Sequence, residues 1–87
     1  MKIISVSSDV LEKELAGEKV LLDLVGENFF GLDGVATRVW QLLQSGAGKK
    51  ELIKTLLYEY EVERSTLEKD ITDLLQRLAE AGLITVE

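Results

Sequence analysis

The sequence predicts an α+β fold in which short strands come first and three helices follow. Val20, Leu22 and Leu24 alternate with Leu21 and Asp23, and an aromatic-rich run covers Phe29–Leu32, as is typical of strands. From Asp33 onward, hydrophobic residues recur every three or four positions, which is the spacing of helices that pack one face on a core. A group of strands followed by a group of helices is the α+β order.

The N-terminal segments allow more than one interpretation. Residues 1–6 form either an extended arm or a first short strand. Asp9–Ala16 fits a helix, because Leu11 and Leu15 are four residues apart with Glu and Lys between them. The alternation of Leu11, Lys13 and Leu15 fits a strand equally well. Both interpretations of Asp9–Ala16 stay open on the residues alone.

The strand at Val20–Leu24 is predicted to have one strongly buried face. Its alternation places Val20, Leu22 and Leu24 together, and we expect these side chains to face the core. Gly, Glu and Asn at positions 26–28 are residues that favour a turn, so this strand is expected to end there.

The next strand contains two adjacent aromatic residues. Phe29 and Phe30 point to opposite faces, so we expect one of them in the core and the other available to a partner. Gly31 indicates either a close approach of neighbouring backbone or a bulge.

The first predicted helix covers Gly34–Gln44. Asp33 is a suitable N-terminal capping residue, and the Ser45-Gly46 pair is a C-terminal signal. Trp40 lies within the apolar stripe of this helix, so we expect its ring in the core rather than at a ligand.

Two further helices follow. The second is predicted at Lys49–Tyr60. The third begins near Ser65, because Ser65 and Glu68 have the spacing of a capping box, and it ends at Gly82. Leu83–Val86 is predicted to be a short terminal strand or a tail.

Composition excludes several classes of function. The 87 residues suffice for one domain, which we expect to span residues 1–87. Histidine and cysteine are absent, which removes the usual general base, the thiolate metal sites and disulfide frameworks. No spacing places two carboxylates in a pocket, and no glycine-rich phosphate loop is present. We therefore expect no catalysis, no metal and no cofactor.

The charge and hydropathy patterns bear on partners and location. The net charge of −6 and the pI of about 4.6 weigh against binding to nucleic acid, because an acidic surface repels phosphates. No apolar run approaches the ~20 residues that cross a bilayer, and the N-terminus lacks the features of a signal peptide. The expected location is the cytoplasm, without membrane association.

Three segments resemble the PqqD family, which recurs as the recognition element for precursors of ribosomally made, post-translationally modified peptides. They are LLDL at 21–24, FFGLD at 29–33, and Val39-Trp40 with Leu42-Leu43. The resemblance implies that Asp9–Ala16 is a strand paired with Val20–Leu24. It also implies a winged helix-turn-helix-like arrangement, with an N-terminal three-stranded antiparallel sheet followed by three helices.

The same resemblance implies a stand-alone domain that binds the leader segment of a precursor peptide. Family members partner radical SAM enzymes, ring-closing synthetases (cyclases) or leader peptidases, as in lasso peptide or radical SAM pathways. The domain would bind the leader and deliver the peptide to such an enzyme.

The predicted site combines an edge strand with one flank of the last helix. Residues 28–32, the third strand of the sheet, contain no lysine or proline, which usually protect exposed edges, so an extended peptide can add there as a further strand. The resemblance places the third helix beside this edge. The opposite flank of that helix, with Glu68, Thr72, Leu75 and Ala79, is an equally open alternative. The predicted peptide-binding residues are Asn28, Phe29, Phe30, Gly31, Leu32, Asp70, Asp73, Leu74, Arg77 and Leu78.

Two other functions stay open at this point. A winged helix-turn-helix regulator would bind DNA through the third helix, although Lys69 and Arg77 there are surrounded by acidic residues. A small structural subunit would instead close its sheet edge against a second copy. The expected state is a monomer or a weak dimer.

Overall fold

A computed structural model of the chain describes residues 2–87 and has the predicted α+β architecture. Met1, which begins the predicted arm or strand at the N-terminus, lies outside the described residues. A three-stranded antiparallel sheet precedes three helices, and a two-stranded ribbon joins the chain ends. The elements are β1 (Ile3–Val6), β2 (Val10–Leu15), β3 (Glu18–Asp23), β4 (Asn28–Leu32), α1 (Gly34–Gln44), α2 (Lys49–Glu59), α3 (Arg64–Glu80) and β5 (Ile84–Val86).

The ribbon consists of β1 and β5, which pair in antiparallel orientation. The two terminal segments that the sequence left open are therefore strands. The Ser7 N–H donates to the Leu83 carbonyl oxygen at 2.9 Å, which extends the pairing beyond the ribbon. The ribbon ties the N-terminus to the residues that follow α3.

The larger sheet is a meander in the order β2-β3-β4. Asp9–Ala16 thus contributes a strand, as the resemblance implied, and not a helix. Ala16 and Gly17 both have positive φ, at 53° and 83°, which is the conformation of a tight two-residue hairpin turn. Because β3 lies in the middle, β4 is an edge strand. It corresponds to the third strand of the predicted sheet.

The prediction for the buried face of β3 is wrong. Leu21 has no exposed surface and Asp23 is 8% exposed, whereas Leu24 is 56% exposed and lies beyond the strand. Val20 and Leu22 are only partly buried. The helices pack against the face that carries Leu21, so that face forms the core. Since hydrophobic residues occupy both faces of β3, alternation alone does not identify the inner one.

The N-terminal cap of α1 agrees with the prediction from the sequence, whereas that of α3 differs from it. Asp33 caps α1 by accepting a hydrogen bond from the Ala36 N–H at 2.8 Å. α3 begins at Arg64 and the predicted capping box is absent. The Ser65 hydroxyl bonds the Glu63 carboxylate, and Glu68 pairs with Arg64 at 2.9 Å. Because Glu63 is the N-cap residue, Ser65 lies inside the helix, two residues too late to cap it.

The core lies between the sheet and the three helices. Trp40 is fully buried there, as predicted. α1 and α2 are also joined on their partly exposed side by Arg38, which donates two hydrogen bonds to the Glu59 carboxylate at 2.7 and 2.8 Å. The largest fully buried side chains are Trp40, Leu21, Leu32, Leu52, Leu56, Ile71, Leu75, Leu78, Leu83 and Val39.

Candidate peptide-binding site

The hydrogen-bond register of the meander identifies the backbone groups that face each side of β3. The Leu24 N–H, just past β3, donates to the Asp9 carbonyl oxygen at 3.0 Å, so Leu24 points its backbone groups toward β2. Successive residues of a strand point their N–H and C=O groups to opposite sides. Leu21 and Asp23 therefore direct theirs toward β4.

This register leaves two residues of β4 with free backbone groups. Phe30 and Asn28 are the partners of Leu21 and Asp23, so they exchange the hydrogen bonds of the ladder. Phe29 and Gly31 alternate with them and direct their N–H and C=O groups away from β3. Within residues 2–87, neither N–H donates to another group outside the strand ladders. We call these four backbone groups the open edge.

The two edges of the meander differ in chemistry. β2 carries Glu12, Lys13 and Glu14 in succession, and such charges discourage another strand from pairing. β4 has the sequence NFFGL, without a charged residue. Glu12 is also held in place, because its carboxylate accepts hydrogen bonds from Lys19 at 2.9 Å and from Gln44 at 3.0 Å. The Lys19 ammonium is the main cause of a lowered pKa at Glu12. The β4 edge therefore lacks the charges that discourage a further strand.

The side chains of β4 divide between the two faces of the sheet. Phe29 is 77% exposed, whereas Phe30 is half-buried against the core and Leu32 is buried. The expectation that one phenylalanine is internal and the other accessible agrees with this placement. Asn28 lies exposed at the start of the strand.

Neither structural reason predicted for Gly31 is present. The β3–β4 register is continuous, so there is no bulge, and a Cβ added at Gly31 would meet no atom within 4 Å. The backbone of another segment in residues 2–87 does not approach it. Gly31 thus leaves an unobstructed surface next to the open edge.

The side chain of Arg77 links α3 to β4. The guanidinium carbon of Arg77 lies 5.9 Å from the centroid of the Phe30 ring, within the range of a cation–π interaction. This contact brings the flank of α3 that carries Arg77 to the inner side of β4. An added strand at β4 would direct every second side chain toward this flank.

A groove runs along the same flank of α3 and encloses about 680 Å³. Its floor contains Leu67, Ile71 and Leu74, and its opposite walls come from the start of α1 and from the segment between α2 and α3. We call it the α3 groove. It is lined by Asp33, Val35, Ala36, Tyr60, Glu61, Val62, Leu67, Asp70, Ile71, Asp73, Leu74, Gln76, Arg77 and Glu80.

The groove lies along one of the two flanks of α3 between which the sequence did not decide. Asp70, Asp73, Leu74 and Arg77 line it, but Leu78 is fully buried in the core and does not. On the other flank Leu75 is also fully buried. The Thr72 hydroxyl there is occupied in a bond of 2.8 Å to a carbonyl oxygen of its own helix.

Sequence reasoning missed the walls of the groove. Val35 and Tyr60 are each 39% exposed and line it together with Val62. Glutamates flank Val62, so the composition of this segment is that of a solvated connector. The sequence indicates this wall only by a single apolar residue, Val62, between two glutamates. Val62 becomes part of a groove because α3 lies opposite it.

No group of acidic, histidine or cysteine side chains within residues 2–87 is arranged to hold a metal ion. In the same part of the chain, no helix has the length and apolar character needed to cross a membrane.

Comparison with known proteins identifies the family. The sequence model for "Coenzyme PQQ synthesis protein D (PqqD)" matches residues 18–84, from the start of β3 into β5. The chain belongs to the PqqD family. This PqqD-family chain has no match among the curated protein sequences compared with it.

Two solved structures resemble this PqqD-family chain over nearly its whole length. "TbiB1 in Complex with the TbiA(beta) Leader Peptide" has 36% identity and a TM-score of 0.86, covering 97% of this chain and 98% of the other. "Lasso peptide synthetase B1 complexed with the leader peptide" has 28% identity and a TM-score of 0.81, covering 93% and 95%. Both neighbours are therefore peptide-bound proteins with the same fold.

Proposed function

We propose that this PqqD-family chain is a non-catalytic domain that binds the leader segment of a ribosomally synthesised precursor peptide. The leader adds as a strand to the open edge of β4, and its inward side chains enter the α3 groove. The observation that carries this proposal is that Arg77, which lines the groove, also lies over Phe30 of β4, whose neighbours Phe29 and Gly31 have free backbone groups. Main-chain pairing supplies affinity, and the groove supplies register and selectivity.

The structural neighbours support the same class of ligand. TbiB1, at 36% identity, is named as a complex with a leader peptide, and the second neighbour is a lasso peptide synthetase component bound to one. Their likeness covers both β4 and α3, since it extends over more than nine-tenths of this chain.

The consequence of binding is delivery of the precursor to a second protein. A domain that holds the leader raises the local concentration of the attached core segment beside an enzyme that binds the domain. The neighbour named as a lasso peptide synthetase favours an enzyme of lasso peptide synthesis as that second protein over a radical SAM enzyme.

Titration with fluorescently labelled leader peptides tests the proposal. The peptides are those of precursors encoded near this chain, with the TbiA(beta) leader as a further probe and scrambled versions as controls. We expect a saturable rise in anisotropy with the ordered leaders and none with the scrambled ones. Equal binding of ordered and scrambled peptides, or no binding of any leader, contradicts the proposal.

A further inference from the structure

We infer that the α3 groove selects leader segments in which an apolar side chain stands close to a lysine or arginine. The inference rests on the proposed function and deepens it by naming the chemistry of the bound segment. It follows from the uneven distribution of apolar surface and charge around the groove.

The floor of the groove is apolar. Leu67, Ile71 and Leu74 are at most 6% exposed, yet all three line it, so their remaining exposed surface faces its interior. Val35 and Val62 extend this surface up the opposite walls. The enclosed ~680 Å³ accommodates one or two large side chains and lies within the range of ligand sites in proteins. An apolar side chain from a strand paired with β4 fits this floor.

The rim of the groove is strongly acidic. It carries five carboxylates and, within residues 2–87, a single cation at Arg77. Arg77 is positioned over the Phe30 ring and forms no salt bridge with these acids. Asp33 is engaged as the helix cap, but the other four carboxylates have no ionic partner in the described chain. The acidic rim residues are Asp33, Glu61, Asp70, Asp73 and Glu80.

The positions of these acids on α3 are unfavourable for the helix itself. Asp70 and Asp73 are three residues apart, where like charges repel, and Asp73 forms no salt bridge with Lys69 or Arg77, which are each four residues away. Glu80 is the last residue of α3, where the helix dipole favours a cation. A bound lysine or arginine would relieve this repulsion, whereas an acidic leader residue would increase it. The charge of the rim therefore complements a basic residue next to the apolar anchor.

Selection from a library of random peptides displayed on phage tests the inference. The targets are the wild-type chain, the variant Asp70→Asn/Asp73→Asn, and the variant Glu14→Gln/Glu18→Gln as a matched control. Both variants remove two exposed carboxylates, but Glu14 and Glu18 flank the β2–β3 turn and do not line the groove. We expect the wild type and the control to enrich peptides with an apolar residue near a lysine or arginine. The Asp70→Asn/Asp73→Asn variant should retain the apolar preference and lose the basic one.

A quantitative measurement follows from the enriched peptides. Replacing the selected lysine or arginine by glutamate should weaken binding to the wild type about ten-fold, because two exposed ion pairs are lost and repulsion is added. The same replacement should change binding to Asp70→Asn/Asp73→Asn less than about two-fold. Raising the salt concentration toward 1 M should reduce the wild-type difference, since ions then screen charges beyond about 3 Å.

The outcomes separate this inference from the proposed function. Enriched peptides without a basic bias, or a bias that persists in Asp70→Asn/Asp73→Asn, overturn the inference while leaving strand addition intact. A bias that disappears equally in the Glu14→Gln/Glu18→Gln control also overturns it, because net charge would then be the cause. A selection that enriches no peptide contradicts both the inference and the proposed function.

Discussion

Adjacent residues in β4 have different surroundings because strand geometry alternates both side chains and backbone groups. Phe30 turns its ring to the core and to Arg77, and its backbone groups complete the ladder with β3. Phe29 exposes its ring and directs its backbone groups away from β3. In the proposed complex, Phe30 therefore supports the fold while its neighbour Phe29 contacts the peptide.

At the residue scale, Trp40→Ala tests which aromatic side chains support the fold. Trp40 is fully buried, so the truncation should lower the free energy of unfolding by about 3–5 kcal/mol, through lost burial and a cavity. Tyr58→Ala is the matched control, because Tyr58 is 93% exposed and its removal should cost less than ~0.5 kcal/mol. Urea denaturation followed by far-UV circular dichroism measures both. Similar losses for the two variants would contradict the assigned core.

At the element scale, Gly31→Pro tests strand addition at β4. Proline removes the outward N–H of Gly31 while leaving the ladder donors at Asn28 and Phe30 in place. The variant should fold and bind leader peptide at least about ten-fold more weakly than wild type, because each lost main-chain bond leaves a peptide carbonyl without its donor. Fluorescence anisotropy measures the affinity.

Gly31→Ala is the control for this change. Its φ is not positive and its Cβ enters open space, so the variant should fold and bind within about two-fold of wild type. Thermal unfolding of both variants establishes that they are folded under the binding conditions. A folded Gly31→Pro variant that binds as tightly as Gly31→Ala would exclude pairing through this backbone group.

The sequence predicted some features of the helices and strands but not others. The helices and the Asp33 cap depend on neighbours within a few residues, so local pattern located them. The buried face of β3 and the failed cap at Ser65 depended on contacts that spacing alone does not specify. The structure brings β4 and the Arg77 flank of α3 together, and the role of these residues in peptide binding stays a prediction. The remaining walls of the groove, at Val35 and Val62, come from segments brought together only by tertiary packing.

At the scale of the whole molecule, acidification tests the ion pair that joins α1 to α2. The Arg38 guanidinium bonds Glu59 and holds the pKa of that carboxyl below its ordinary value. A lowered folded-state pKa contributes stability that is present above the unfolded-state pKa and is lost as the pH falls through the folded-state value. The stability of the wild type should therefore decline below about pH 4.5, the ordinary value for glutamate.

Removing either partner should make this decline shallower. Glu59→Gln and Arg38→Gln each break the same pair, so the double variant should show no further flattening beyond either single variant. Urea denaturation at a series of pH values measures the slopes. Single variants with the slope of the wild type would indicate that this pair does not link α1 and α2 in solution.

Amide hydrogen exchange at β4 tests the central claim most directly, because it reports on the backbone groups that form the open edge. In the free protein, the amides of Phe29 and Gly31 should exchange rapidly, while the amide of Phe30, which is bonded to β3, should be protected. Saturation with a leader peptide that binds should slow exchange at Phe29 and Gly31 and leave Phe30 protected as before. Unchanged rapid exchange at Phe29 and Gly31 in the complex would contradict the account.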